Sequence, residues 1–126
     1  MHYLLKSLFL ITFLFSPSCV DAQDGHSMMI NMSYHKARKI VLENSWGSEK
    51  SANKYEDIGA SAKYFRDLGY DEVEDCAGSG LLICTFYFQN EKGEFLRIET
   101  AGEYTNPSFD LDTRVVHVSV QTALEK

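Results

Sequence analysis

The stretch "DCAGSGLLICTFYFQNEKGEFLRIET", Asp75 to Thr100, decides the fold of this chain. From Leu82 onward its apolar and polar residues alternate with a period of two, the mark of a half-buried strand. Cys84, Phe86 and Phe88 stand on one side, with Thr85, Tyr87 and Gln89 on the other. Asn90 to Gly93, "NEKG", is a hairpin turn ending in Gly. The return strand sets Leu96, Ile98 and Thr100 against Phe95, Arg97 and Glu99.

The two cysteines at the head of this stretch, Cys76-x7-Cys84, admit three chemistries. A redox site favours Cys-x-x-Cys with cations or a helix N-terminus to lower the thiol pKa; here the neighbours are Glu74 and Asp75, which act the other way. A metal site needs more ligands at close spacing, and no His lies near either Cys. A disulfide needs only that the Cα atoms approach to about 5.5 Å, which Ala77-Gly78-Ser79-Gly80 allows by turning back. The pair is therefore read as a structural disulfide. Gly78-Ser79-Gly80 is not a phosphate cradle, since no Lys-Ser or Lys-Thr follows it.

Upstream the period changes. Tyr34, Ala37, Val41 and Leu42 fall on one face of a helix that Ser33 or Asn31 can cap, and Trp46 follows as a core anchor. Gly47 to Asn53 is a polar loop. A second helix is expected from Asp57, as N-cap, to Leu68, with Ile58, Ala62, Phe65 and Leu68 as its stripe and Gly69 as its C-terminal cap. The two helices end alike, "LENSW" and "FRDLGY", a faint echo of two similar helix-to-strand exits. Downstream, Ala101 to Asp112 reads as a loop, and a last strand sets Val116, Val118 and Val120 against Val115, His117 and Ser119. The expected fold is α+β: two helices packed on one face of a small antiparallel sheet, with one disulfide.

The N-terminus points to export. Ser7 to Phe15 is an apolar run of signal-peptide length, and Val20-x-Ala22 is a small-residue cleavage site, leaving Gln23 first. The run falls short of the roughly 20 apolar residues of a membrane span. Lipidation at Cys19 is the competing reading, but Ser16-Pro17-Ser18 is not the Leu-small-Gly/Ala context it needs. Residues 1–22 are thus a signal peptide, 23–32 a short tail, and 33–126 one domain. Of the 12 basic and 18 acidic residues in the whole chain only Lys6 and Asp21 leave with residues 1–22, so the net charge stays −6. This argues against nucleic acid as a partner and is compatible with a cationic protein. The oxidising compartment also suits a disulfide.

No catalytic or metal-binding constellation stands out. His26, His35 and His117 lack a Ser, Cys or carboxylate at a diagnostic spacing, and Asp110-Leu-Asp112 is too sparse for a calcium loop. No cofactor is expected. Two surface features remain. Tyr87, Phe95, Arg97, Val115 and His117 share the sheet face opposite the expected core, and aromatics with Arg are the composition of interface centres. Asp71, Glu72, Glu74 and Asp75 form an acidic turn that suits a basic partner.

The segments "YHKARKIVLENSW", "LGYDEVEDCAGSGLLICTFYF" and "GEFLRIETAGE" together resemble a group of short, secreted, uncharacterised Gram-negative envelope proteins. That group shares a helix ending in Gly-Trp, a Cys-x-Gly-x-Gly-x3-Cys segment, an aromatic strand and a Thr-x-Gly close. Here Ser45 stands in the place of the Gly. The resemblance implies an envelope location and the disulfide, and no activity. The expected function is a periplasmic or secreted protein-binding domain without catalysis, such as an inhibitor or immunity-type partner of an envelope enzyme. The alternative is a module for a small ligand or cell-wall fragment, using Trp46, Tyr70 and Gly78 to Gly80.

Overall fold

The computed structural model describes residues 24–102 and 113–122. The expected export signal and most of the expected 101–112 loop, with Asp110 and Asp112, lie outside the described residues. Three helices and a five-stranded antiparallel sheet make an α+β fold. The helices are a single turn α1 (Asp24–Ser27), α2 (Tyr34–Glu43) and α3 (Ala60–Asp67). The strands are β1 (Gly47–Ser48), β2 (Val73–Cys76), β3 (Cys84–Gln89), β4 (Phe95–Ala101) and β5 (Arg114–Gln121). β3, β4 and β5 run side by side, while β1 and β2 share the other edge of β3.

Helix α2 begins where Ser33 accepts a hydrogen bond from the Lys36 amide, relieving one of the unpaired donors of the first turn. Its buried face is Tyr34, Ala37 and Val41; Leu42 stays exposed. Helix α3 starts later than expected. Asp57 closes a 3-10 turn over Tyr55–Asp57, and Gly59 is the N-cap, its amide donating to Asp75 Oδ1 at 3.5 Å. Ala62 and Phe65 are buried with Ile58, whereas Leu68 is exposed.

The two helix exits are the same device. Ser45 (φ 67°) and Gly69 (φ 84°) take the left-handed conformation, and the next residue donates back across the last turn, Trp46 to Val41 and Tyr70 to Phe65. Each exit then leads to a strand that pairs with β3. The helices cover one sheet face. Tyr34 stacks on Phe86 with ring centroids 3.6 Å apart, and Phe65 meets Phe86 edge-on at 5.1 Å. Phe88, Leu96, Ile98 and Val73 complete this core. The segment expected as a tail is folded: Met29 is buried, and the Asn31 amide donates to the Val115 carbonyl.

Two β-bulges reset the alternation. Thr100 pairs with Val115 but Glu99 pairs with His117, so Val116 is an extra residue in β5. Val115, expected on the outer face, is therefore fully buried, and Val116, expected in the core, is 45% exposed. In β2, Val73 pairs with Phe86 and Asp75 with Thr85, which makes Glu74 the extra residue. Beyond both bulges, at one end of the sheet, lies a row that faces the core: Cys76, Cys84, Thr100 and Val115.

Cys76 and Cys84 form a disulfide directly across the β2–β3 pair, with Cα atoms 4.0 Å apart. Glu72, expected in an acidic surface contact, is instead fully buried just before β2. Tyr34 Oη donates to its Oε1 at 2.8 Å and Arg38 Nε to the same oxygen at 2.5 Å. Ser48 Oγ donates to Oε2 at 2.6 Å. A buried carboxylate is tolerated only when paired and hydrogen-bonded in this way.

Two consequences can be measured. Replacing both cysteines by alanine reopens a short loop in the unfolded chain and should cost about 2.5 kcal/mol in urea unfolding. An unchanged midpoint would mean that the bond adds nothing to stability. Burial first, then the Glu72 carboxylate, hold the Tyr34 hydroxyl well above the usual tyrosine range. Past about pH 10 only the unfolded chain gives up this proton, so stability present below that pH falls as pH rises. Tyr34→Phe should lose about 1 kcal/mol near neutrality and show a shallower alkaline decline than the parent protein; equal slopes would contradict the assignment.

Candidate functional site

The outer sheet face is built from rows of directly opposed residues. One row is Asp75, Thr85, Glu99 and His117; the next is Tyr87, Arg97 and Ser119; a third is Gly47, Gln89, Phe95 and Gln121. Four of the five residues expected on this face are there: Tyr87, Phe95, Arg97 and His117. They are not equally open. Phe95 and Arg97 are half-buried, His117 is exposed, and Tyr87 is only 9% exposed.

What covers Tyr87 is the segment expected as a polar loop. Gly47 and Ser48 pair with Gln89 and Phe88, and the Glu49 amide donates to the Tyr87 carbonyl. The chain then crosses to the other half of the same edge as a strap over residues 49–53. The Ser51 amide donates to the Asp71 carbonyl, and Ser51 is buried. Asn53 closes the strap, its Nδ2 donating to the Glu74 carbonyl at 2.9 Å and to Glu74 Oε1 at 3.2 Å. Arg66 of α3 donates to the Asn53 carbonyl from the helix side.

Between strap and sheet lies a cavity of about 540 Å³. Glu49 to Asn53 form one wall, Glu74 and Asp75 a second, and Thr85, Tyr87 and Arg97 the sheet side. The outer-face residues and the acidic turn, separate features in the sequence, thus meet in one concavity. Arg97 and Tyr87 are direct cross-strand partners. Arg97 Nη2 donates to Glu99 Oε1 at 2.7 Å, and His117 Nδ1 lies 3.4 Å from the other oxygen of Glu99. Arg97 Nε is buried without a hydrogen-bond partner.

The charges are unequal. Glu49, Glu74 and Asp75 face Lys50 and Arg97, and Arg97 is already matched by Glu99, so the acidic walls are in excess. Asp75 Oδ1 accepts from the Cys76 amide at 2.7 Å, which ties this wall to the disulfide. The two acidic residues outside the cavity differ: Asp71 is exposed, while Glu72 belongs to the core. The lining contains no His or Cys, and no metal-binding group of His, Cys, Asp and Glu occurs among the described residues.

Trp46, Tyr70 and Gly78 to Gly80, weighed for a small ligand, have other neighbours. Trp46 sits edge-on to His26 with centroids 6.0 Å apart, Tyr70 lies under Arg38, and Gly78 to Gly80 close the disulfide turn. None of them lines the cavity. The strap is what sequence reasoning missed. Its only signal was Ser51 and Asn53 in a short polar run, which is the composition of any solvated loop. No helix among the described residues is long and apolar enough to cross a membrane. Comparison with models of known protein families, with curated proteins and with solved structures finds no match.

Proposed function

We propose that this chain is an exported, non-catalytic binding domain that engages a protein partner through its outer sheet face. The observation that carries the reading is the cavity that joins Tyr87 and Arg97 to Glu74 and Asp75 under the 49–53 strap. A basic side chain projecting from the partner fits it. The cation would lie between the Glu49, Glu74 and Asp75 carboxylates, its aliphatic stem against the Tyr87 ring. Phe95 and His117 continue the contact along the sheet, giving the aromatic centre and polar rim of a protein interface. An inhibitor or immunity-type role towards an envelope enzyme is the form of this function that suits a small, disulfide-pinned acidic domain.

A second reading rests on the cavity's volume, which is within the range of small-molecule sites. There a cell-wall fragment would occupy the space under the strap.

The test is chemical crosslinking of the exported protein in cell-envelope fractions. Glu74→Gln/Asp75→Asn removes two charges while keeping the acceptor oxygens that hold Asn53 and the Cys76 amide. It and Tyr87→Ala should each reduce capture of the partner on the order of tenfold. Glu91→Gln, on the exposed β3–β4 turn, should leave capture unchanged. Equal capture by all four proteins would overturn the proposal. No capture, with a melting temperature raised by purified muropeptides and not in Tyr87→Ala, would establish the ligand reading instead.

A further inference from the structure

Among the described residues β5 is the terminal strand of the sheet, and only its first half is paired on the outer side. Ser33 bridges to Arg114, the Tyr34 amide donates to the Thr113 carbonyl, and Asn31 and Met32 bond both backbone groups of Val115. From Val116 to Gln121 the outer backbone edge faces no strand among the described residues. A row of unpaired amides and carbonyls is a template for another strand.

Edges of this kind are commonly protected by charge, proline, bulges or shortness. At the opposite side of the sheet β1 has two residues and β2 has four with a bulge. β5 has eight residues, and its bulge lies at Val116, the first residue of the bare part. Val118 to Gln121 are then in unbroken register with β4. Val116 to Gln121, "VHVSVQ", holds no Lys, Arg, Asp, Glu or Pro. Val116 is 45% exposed, and Met28 at 75% and Ile30 at 39% are exposed in the segment leading to Asn31, which bonds Val115.

We propose that the bare half of β5 pairs antiparallel with the same half-edge of a second copy, joining two five-stranded sheets into one. The sequence is self-complementary for this arrangement. A two-fold axis at Val118 sets His117 opposite Ser119 on the outer face and the core-side Val118 opposite its own copy. In a chain of net charge −6 this is a segment where two copies meet without opposed carboxylates. The covered half, 113–115, stops the pairing from running further, and the short, bulged opposite margin gives no second site, so the assembly closes as a dimer. Met28, Ile30 and Val116 add apolar area that a strand pair alone lacks. The joined sheet sets the outer faces of both copies, each with its cavity, on one continuous surface.

Sedimentation equilibrium of the exported protein over a wide concentration range, with amide hydrogen exchange at its two ends, tests this. Dimer should form as concentration rises, and the amides of 116–121 should exchange more slowly in it. Val118→Pro removes an amide from the edge. His117→Lys/Ser119→Lys keeps every backbone group, lies beside Glu99 on the outer face, and sets like charges opposite one another across the axis. It should raise the dissociation constant by about tenfold, even if the proline variant fails to fold. A protein monomeric up to its solubility limit would overturn the proposal. So would a dimer that survives the double lysine variant with exchange in β5 unchanged.

Discussion

The buried Glu72 carboxylate is the point through which the rest of the structure is connected. It is fully buried, and leaving such a charge without partners would cost several kcal/mol. Its side-chain partners come from two separate segments: Tyr34 and Arg38 from α2, and Ser48 from β1. Its own backbone carbonyl accepts from the Tyr87 amide of β3. One residue thus fixes α2, the shortest strand and β3 relative to β2. Arg38 is held in turn by the Tyr70 ring, 4.0 Å below the guanidinium, and the Tyr70 hydroxyl is 2.9 Å from His35 Nδ1. The desolvation penalty therefore enforces a geometry: these segments must arrive together, because a partial set leaves an uncompensated ion.

That geometry determines the shape of the outer face. β1 is two residues long, and so short a pair has little stability of its own. The Ser48 hydroxyl on Glu72 anchors it from the core side, while Asn53 on Glu74 anchors the far end of the strap from the outer side. The wall of the cavity is thereby suspended between a buried ion pair and a disulfide-bonded strand. A surface held in this way has little freedom to lose when anything docks on it, and preorganisation of that kind improves affinity without any added contact.

Much of the core was legible from periodicity. Phe86, Phe88, Leu96 and Ile98 lie where alternation puts them, and Tyr34, Ala37, Val41, Ala62 and Phe65 where helical spacing does. Val115 was not legible, because a bulge adds one residue and reverses every inference made across it. Val115 and Val116 are the same residue type, so nothing local says which is the inserted one. Glu72 was misread for a related reason. In "DEVED" a core carboxylate and its solvated neighbours look alike, and its partners are Tyr34, Arg38 and Ser48, 24 to 38 residues away. The cavity depends on that same long-range pairing, which explains why its walls appeared in the sequence as two unrelated surface features.

The echo between "LENSW" and "FRDLGY" has a physical content that short-range similarity alone could not establish. Both exits use a left-handed residue, both send an aromatic back against the helix end, and both deliver a strand to the same edge of β3. Two such units cannot occupy one six-residue strand at full length. β1 therefore takes Phe88 and Gln89, β2 takes Cys84 to Phe86, and Tyr87 is left between them, bonded through its carbonyl to Glu49 and through its amide to Glu72. Because Tyr87 belongs to neither pairing, the chain can rise over it as a strap instead of continuing as a strand. The cavity at Tyr87 is the geometric consequence of two helix–strand units sharing one edge.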